Sequence, residues 1–252
     1  MENIVIGKNI VKTFHMGAEQ VKALDSVNTE IKRGEFVAVM GPSGSGKTTL
    51  LHALSGMDSI TGGSVKFKDT ELSKLRDNEL ADIRRTKMGF IFQQPTMLKN
   101  MNLLDNIILP AVCGGKNSAC TLTQKAKTLM QKMGIGGLEY RDITEVSGGQ
   151  LARAGICRAL INDPEILFAD EPTGALNSKS AEEIMKLLVE ISQKGTAILL
   201  VTHDMKVAAK ADRVIFMKDG SIVTDLSLQK FCGNDMESRT EKVLAKMAAV
   251  GI

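Results

Sequence analysis

The chain has 252 residues, of which 32 are Lys or Arg and 29 are Asp or Glu, so its formal net charge at pH 7 is only +3. This length can bury one large α/β core without disulfides, while the balanced charge and the single Tyr argue against a polybasic or base-stacking nucleic-acid surface. The four cysteines lack the C-x-x-C spacing and the paired histidines of zinc and redox motifs, which indicates a reducing compartment.

The sequence shows no cationic leader followed by an apolar block, and no run approaches the ~18 consecutive apolar residues of a membrane span. We therefore expect a cytoplasmic protein. If it works at the inner face of the cell membrane, a separate chain must supply the span.

Alternating apolar residues predict two strands of an antiparallel layer, at 3–14 and 21–32, followed by a fully apolar strand at 36–40. This third strand ends in a loop with the spacing G-x-x-x-x-G-K-[ST], and a helix begins directly behind it. A strand, this loop and a helix start together indicate a phosphate-binding loop. Its residues are Gly41, Pro42, Ser43, Gly44, Ser45, Gly46, Lys47 and Thr48, and Thr49 follows them.

Each residue type in the loop has a chemical reason. Glycines let the backbone approach an anion closely, and the positive end of the helix dipole points at the same place. We expect Lys47 to reach the β- and γ-phosphates of a nucleotide, the Thr48 hydroxyl to ligate Mg²⁺, and residues 41–49 together to line the nucleotide site. The alternative is a chance glycine turn, which the match of all eight positions disfavours.

Beyond the loop, strands alternate with helices, which predicts a mainly parallel, doubly wound sheet. Predicted strands lie shortly after Gly63, at 88–92, at 166–170, at 197–202, and in a hairpin formed by 214–217 and 222–224. Predicted helices lie at 50–54, in a charged stretch ending near 87, at 97–133 with an interruption at Gly114 and Gly115, at 147–161, at 178–194, and from about 235 onwards.

Carboxylates follow the predicted strand at 166–170. Because open parallel sheets bind ligands at the carboxyl ends of their strands, Asp170 and Glu171 are candidates for the nucleotide site. Asp170 would hold Mg²⁺, and Glu171 could polarise the attacking water as the general base. The alternative is an acidic turn in which Asp170 caps a helix.

Two more polar residues follow predicted strands. Gln93 could contact Mg²⁺ or the attacking water, although Gln94 is a rival and a plain polar strand end is an alternative. His203 is suited to hydrogen-bond the γ-phosphate, with a structural histidine as the alternative. His15 and His52 have no such position and receive no role.

The residues Ser147, Gly148, Gly149 and Gln150 open a predicted helix and form a second candidate anion-binding N-terminus. The alternative is a simple helix cap. If the segment binds nucleotide, one nucleotide could lie between two copies of the protein, held by the loop of one copy and by this helix of the other.

Together these motifs resemble those of an ABC transporter ATPase subunit, over about residues 3–225. The motifs of that family are, in chain order, Walker A, the Q-loop, the signature, Walker B, the D-loop and the H-loop. The segments that resemble them are, in the same order, Gly41–Thr48, Gln93, Val146–Gln150, Ile166–Glu171, Gly174–Asn177 and His203. Val146 replaces the usual leucine of the signature, which we expect to be tolerated. Asn177 replaces the usual aspartate of the D-loop, which puts tight coupling between two sites in doubt.

The resemblance implies an α/β fold of the P-loop NTPase type, with a RecA-like parallel sheet core, an antiparallel β subdomain and an α-helical subdomain at about 94–160. The ATPase domain would span 1–225 and a C-terminal helical extension 226–252. The resemblance also implies that Phe14 stacks on adenine, with a strand-core residue as the alternative, and that Asn177 contacts the other subunit. Asn177 can in addition cap the helix at 178–194.

The implied activity is hydrolysis of ATP with Mg²⁺ by a homodimer of ATPase subunits, without nucleic acid, to power a transmembrane permease. The amino-acid sequence at 92–93, 171–176 and 202–204 is most similar to the macrolide-export, lipoprotein-release and peptide-antibiotic branch. Residues 98–100 and 105–110 are similar to the bacitracin and lantibiotic resistance transporters, so export or removal of antimicrobial peptides is the expected function. Lipoprotein release is an alternative.

Two competing classes and one docking segment complete these expectations. A soluble ABC ATPase acting on ribosomes or DNA usually has two cassettes or a coiled-coil insertion, which this chain lacks. A cell-division module that clamps ATP without productive hydrolysis is disfavoured by Glu171 and His203.

The apolar segment 97–110 is a candidate groove for a cytoplasmic helix of the permease, with ordinary helical core as the alternative.

Overall fold

The computed structural model of the protein describes residues 2–17, 19–113, 118–233 and 235–252. The strands of this part of the chain are β1 (Asn3–Met16), β2 (Glu19–Lys32), β3 (Phe36–Met40), β4 (Gly62–Phe67), β5 (Thr70–Glu71), β6 (Met88–Phe92), β7 (Ile166–Asp170), β8 (Ala197–Val201), β9 (Arg213–Lys218) and β10 (Ser221–Ser227). The helices are α1 (Lys47–Leu54), α2 (Asp77–Lys87), α3 (Leu103–Val112), α4 (Ala119–Lys132), α5 (Gly148–Leu160), α6 (Ser178–Gln193), α7 (Met205–Ala208) and α8 (Met236–Ala249).

The larger sheet carries the site. Its six strands lie in the order β10–β9–β3–β8–β7–β6, and all neighbours from β9 to β6 run parallel, while β10 pairs antiparallel with β9. Every residue of β3 and β8 is buried, as expected for parallel strands covered on both faces. Because the strands are parallel, β3, β6, β7 and β8 all end at the same edge of the sheet.

A smaller sheet covers one face of the larger one. It is antiparallel, in the order β2–β1–β4–β5. Since side chains alternate along a strand, Val37 and Val39 of β3 point into the core shared with this sheet and with α1, where Leu24, Leu50 and Phe168 also lie.

Helices cover the opposite face. Phe36, Ala38 and Met40 of β3 point into a second core, which is formed with α3, α4, α5, α6 and the C-terminal α8. The two cores clamp the sheet from both sides, which fixes the positions of its strand ends. None of the helices in the described residues combines the length and the hydrophobicity needed to cross a lipid bilayer.

The predicted parallel core, antiparallel layer and hairpin are confirmed, but the predicted helix start at 97 is wrong, because α3 begins at Leu103. Residues 93–102 are irregular, and Asn102 starts α3 by accepting a hydrogen bond from the Asp105 backbone N–H at 2.8 Å. The buried Asn106 side chain bonds both backbone groups of Leu98 and so holds this loop. The predicted interruption at 114–115 lies outside the described residues.

Candidate nucleotide site

Residues from several strand ends surround one open cleft of about 500 Å³. The loop after β3 forms most of its wall, and the ends of β7 and β8 contribute one residue each. The lining residues are Ala23, Gly41, Ser43, Gly44, Gly46, Lys47, Thr48, Thr49, Glu171 and His203. Because parallel strands end at one edge, the structure brings together Gly41 and His203, which are 162 positions apart in sequence.

Close packing forces glycine at two positions of the loop. Gly46 adopts a φ of 95°, and a Cβ there would stand 2.5 Å from the carbonyl oxygen of Ala23 on β2. A Cβ at Gly41 would collide with the carbonyl oxygen of Met217 on β9. The loop is thus held between the two sheets before any ligand binds.

Lys47 is the cation of the cleft. It is the first residue of α1, it is buried, and its Nζ donates to the carbonyl oxygen of Pro42 at 2.7 Å. Burial lowers the pKa of Lys47, and the carboxylates of Glu171 and Asp170 oppose this shift. In the part of the chain that the structure describes, the Pro42 carbonyl is the one hydrogen-bond partner of this ammonium. A desolvated ammonium at a helix N-terminus with such a partner is prepared to exchange it for a phosphate oxygen.

Asp170 and Thr48 meet at the end of β7. The Thr48 hydroxyl donates to Asp170 Oδ1 at 3.1 Å, while burial raises the pKa of Asp170. The described residues contain no group of three or more His, Cys, Asp or Glu side chains able to hold a metal ion. The oxygen pair of Thr48 and Asp170 does fit Mg²⁺, which commonly takes one or two protein ligands and completes its shell with phosphates and water.

Glu171 and His203 form the second pair. His203 Nδ1 lies 3.1 Å from Glu171 Oε1, and the His203 side chain is 70% exposed. Glu171 has a φ of 44°, the left-handed region that side chains rarely adopt, and its N–H donates to the Val201 carbonyl oxygen at 3.0 Å. The backbone thus holds the carboxylate in one place despite local strain.

Gln93 reaches the same area from the end of β6. A Cβ placed on Gly174 would lie 2.8 Å from Gln93 Nε2 and 3.3 Å from Glu171 Oε2. The Gln93 and Glu171 side chains are therefore near each other beside Gly174. Gln93 and its rival, Gln94, are both exposed, and no hydrogen bond of either side chain is found among the described residues.

The segment from Ser147 to Gln150 lies outside the cleft. Ser147 Oγ accepts from the Gln150 N–H at 3.3 Å, and the Gln150 side chain accepts from the Ser147 N–H at 2.8 Å. This capping box shows that the segment caps α5, while its role in nucleotide binding stays a prediction. It also leaves Gly148 exposed at the N-terminus of α5.

Asn177 and Phe14 also lie outside the lining of the cleft. Asn177 caps α6 by accepting from the Ser180 N–H at 2.9 Å, which confirms its capping role. Phe14 is 40% exposed beneath the Lys12 ammonium, so the strand-core alternative is wrong. Phe14 pairs with Val21 on β2, two residues from Ala23 at the cleft.

Sequence reasoning missed the two backbone supports of the loop. Ala23 carries no functional group, and nothing in its sequence context marks its contact with Gly46. The turn between the two strands of the predicted hairpin contains Gly220, whose N–H donates to the Ser45 carbonyl oxygen at 3.2 Å. Such contacts depend on how the two sheets pack, which local patterns do not encode.

A second open cavity, of about 420 Å³, lies beside β6. Its walls include the apolar residues Met88, Phe90, Phe92, Leu109 and Pro110 and the arginines Arg84, Arg85 and Arg158. Arg158 donates to the Thr96 carbonyl oxygen at 2.6 Å, and burial lowers its pKa. No carboxylate among the described residues forms an ion pair with it.

The fold and the cleft define the class of protein: a P-loop nucleoside triphosphatase, whose phosphate loop joins β3 and α1. Residues 24–174 match the ABC transporter family over more than half of the chain. The chain belongs to this family, and it is an ATP-binding and ATP-hydrolysing cassette.

Relatives and solved structures agree with this assignment. The macrolide export ATP-binding/permease protein MacB of Aggregatibacter actinomycetemcomitans is 42% identical over 88% of this chain, which spans only 34% of that protein. The uncharacterized ABC transporter ATP-binding protein MJ0796 of Methanocaldococcus jannaschii is 41% identical over 89% of this chain and 97% of its own length. The dimeric structure of MJ0796 bound to ADP and Pi is 39% identical, with a TM-score of 0.84 over 90% of this chain and 100% of that one.

Proposed function

We propose that this cassette hydrolyses ATP with Mg²⁺ in the cleft and, as a homodimer, powers a separate transmembrane permease that exports or removes antimicrobial peptides. One observation carries the proposal. Lys47, the Thr48–Asp170 pair and the Glu171–His203 pair stand at a single edge of the sheet, in the order that phosphate binding, metal binding and water activation require.

Each residue has a role that follows from its chemistry. The loop N–H groups and Lys47 would bind the β- and γ-phosphates. Thr48 and Asp170 would hold Mg²⁺, and Gln93 could contact the ion or the attacking water. When bound, Mg²⁺ neutralises the charge that develops on the phosphate oxygens. Glu171 accepts the proton of the attacking water, and His203 donates a hydrogen bond to the γ-phosphate.

The homodimer would complete the site. The phosphate side of the cleft is open, and the exposed α5 N-terminus of the same chain lies outside it. In a head-to-tail pair, Ser147 to Gln150 of one subunit would close over the nucleotide of the other, with Asn177 at the contact. Phe14 would stack on adenine, which its exposed ring next to the cleft supports.

The arginine-lined cavity supports the permease as partner. An apolar groove edged by Leu109 and Pro110 fits a short cytoplasmic helix, while Leu103, Leu104 and Ile107 of the predicted segment are buried core. Arg158 is half-desolvated and without a carboxylate partner in the described residues, so the arriving helix should carry an acidic residue.

Support for peptide removal comes from the amino-acid sequence at 98–100 and 105–110 and from relatives that are named for export. Besides the macrolide exporters, these include the probable syringafactin export ATP-binding/permease protein of Pseudomonas syringae, 42% identical over 86% of this chain. The chain spans about a third of the length of such proteins.

The test is to trap the Glu171→Gln form with ATP in its native cells and identify the membrane protein that co-purifies. We expect a permease with a large extracellular domain, lost in a Glu171→Gln protein that also carries Arg158→Glu. The matched control reverses an exposed arginine away from the groove, Arg33→Glu, and should keep the permease. Recovery of ribosomes or DNA alone would contradict a transport function, and recovery of a lipoprotein-release permease would replace peptide removal.

A further inference from the structure

Arg239, on the C-terminal helix α8, is a buried cation that the nucleotide site does not use directly. Its side chain is only 2% exposed. Its guanidinium donates to three carbonyl oxygens, those of Ala209, Ala211 and Gln229, each at 2.6 Å. A carboxylate, Asp235 Oδ2, lies farther away at 3.3 Å.

Two of these carbonyls belong to the segment that follows His203. The helix α7 spans only four residues, Met205–Ala208, and begins two positions after His203. Asp204 caps its N-terminus by accepting from the Lys206 N–H at 2.7 Å. Ala209 and Ala211 lie at its C-terminal end, where the guanidinium binds them.

A helix of one turn is not stable by itself, because nucleation costs more than a single hydrogen bond returns. The last carbonyls of α7, those of Val207 and Ala208, accept from the N–H groups of Lys210 and Ala211. The Arg239 guanidinium binds the carbonyls of the C-cap Ala209 and of Ala211, three residues beyond the helix, and its charge complements the negative end of the helix dipole. Arg239 therefore fixes the C-terminal end of α7 in the way that Asp204 fixes its start.

The placement of His203 depends on this helix. Its side chain is largely exposed and has one polar partner, Glu171. The backbone before it is anchored by the Thr202 N–H, which donates to the Val39 carbonyl oxygen at 3.1 Å. The backbone after it is anchored through α7, and hence through Arg239.

The end of the C-terminal segment contacts the last residue of β9. The Lys218 Nζ donates to the Gly251 carbonyl oxygen at 3.2 Å. Lys218 immediately precedes the turn whose Gly220 N–H supports Ser45 in the phosphate loop. The segment 236–252 thus bonds to two elements that continue into the nucleotide site, the residues after His203 and the strand before the Gly220 turn.

We propose that Arg239 is a positioning residue for ATP hydrolysis, which through α7 holds His203 in line with Glu171; this rests on the proposed role of His203. The C-terminal segment is then a brace of the catalytic site. Loss of the brace lowers the rate of the chemical step and leaves nucleotide binding by the loop intact.

The experiment measures kcat and KM for ATP hydrolysis by full-length Arg239→Met, Arg239→Lys and, as a matched control, Lys242→Met, an exposed basic residue of the same helix. Arg239→Met should lower kcat by about tenfold, within the roughly 100-fold that a 1 Å misplacement can cost, with KM for ATP unchanged. Arg239→Lys, which can bond one carbonyl and keeps the charge, should recover part of kcat. Lys242→Met should match the wild type.

A double-mutant cycle separates this inference from the role of His203. His203→Ala alone should lower kcat, and adding Arg239→Met should lower it little further, because both changes disturb the same group. If His203→Ala has no effect, the role of His203 is wrong. If His203→Ala lowers kcat but Arg239→Met lowers only the melting temperature, or if the two effects multiply, the brace is contradicted.

Hydrogen exchange keeps the test decisive if Arg239→Met does not fold. In Arg239→Lys, the amide N–H groups of Ala208 and Ala209, which close α7, should exchange faster than in the wild type. The amides of β8 should be unchanged. Faster exchange with a wild-type kcat, or unchanged exchange at α7, would overturn the proposal.

Discussion

The cassette has a phosphate-loop half, with Lys47, Thr48, Asp170 and Glu171, and a signature half, Ser147 to Gln150. The two halves differ in how far a single chain satisfies their polar groups. In the first, Lys47 is buried and bonded to the Pro42 carbonyl of the loop, while Asp170 and Glu171 are half-buried and bonded to Thr48 and His203. In the second, Ser147 and Gly148 are exposed, and the polar groups of Ser147 and Gln150 are satisfied only by their own helix cap.

This difference teaches which half can bind nucleotide alone. The first half is pre-organised by the packing of two sheets, so it should bind ATP as a monomer with little rearrangement. The second half is an exposed helix start that needs an anion from elsewhere. Binding and hydrolysis should therefore separate in the right variants.

The largest expected effect is on hydrolysis by the first half. Glu171→Gln keeps the size of the side chain and removes the base, so turnover should fall by ~10²–10⁴-fold. ATP binding, measured by equilibrium titration, should persist because the loop and Lys47 are untouched. Near-normal turnover would contradict Glu171 as the base.

The next effect is on binding. Lys47→Ala should weaken ATP affinity by about 10- to 100-fold, since a charge-assisted hydrogen bond contributes roughly 1.5–3 kcal/mol. Ser147→Arg, which places a cation at the start of α5, should instead leave affinity unchanged and lower turnover. Unchanged affinity in Lys47→Ala would count against the assignment of the loop.

Mixing the Lys47→Ala and Ser147→Arg variants tests whether the loop of one subunit and the signature of the other form one site across a dimer. Half of the dimers in an equal mixture pair the two variants, and one of their two sites then joins an intact loop to an intact signature. Turnover should recover to about a quarter of the wild-type value, by the statistics of random pairing in a twofold dimer. Two variants that stay inactive at every mixing ratio would contradict the shared site.

The two halves also differ in what their sequence alone could predict. The apolar runs of β3, β7 and β8 and the Gly-Lys-Thr spacing place Lys47, Asp170 and Glu171 at one edge, because parallel order follows from alternating strands and helices. Contacts of the loop with Ala23 and Gly220 could not be predicted, since they arise between sheets that are distant in sequence.

The helical region shows a second limit. The apolar density at 97–110 predicted a helix throughout, but the chain runs irregularly until Asn102 caps α3. Met97 is buried but not helical. A run of apolar residues indicates burial and does not by itself distinguish a helix from a buried loop. Side-chain bonds of Asn106 to Leu98 organise the loop instead.

The smallest expected effect is on the free energy of unfolding, which ionisation of Asp170 in the phosphate-loop half lowers. Burial raises the pKa of Asp170, so the native state binds a proton at this carboxyl more tightly than the unfolded chain does. As the pH rises above the unfolded value of 3.8, the unfolded chain ionises first and the free energy of unfolding falls. Above the folded pKa this loss is complete and constant.

Asp170→Asn removes that loss, because the amide is neutral at every pH and its oxygen can still accept from Thr48. Without nucleotide, its melting temperature at pH 7 should exceed that of the wild type by about 1–3 °C, the shift that a fraction of a kcal/mol gives in a chain of this size. The advantage should shrink as the pH is lowered towards 4, where the wild-type carboxyl becomes protonated. Hydrolysis with Mg²⁺ should fall at the same time. A variant that is less stable at pH 7, or whose advantage does not change with pH, would show that Asp170 is ionised in the native state without cost.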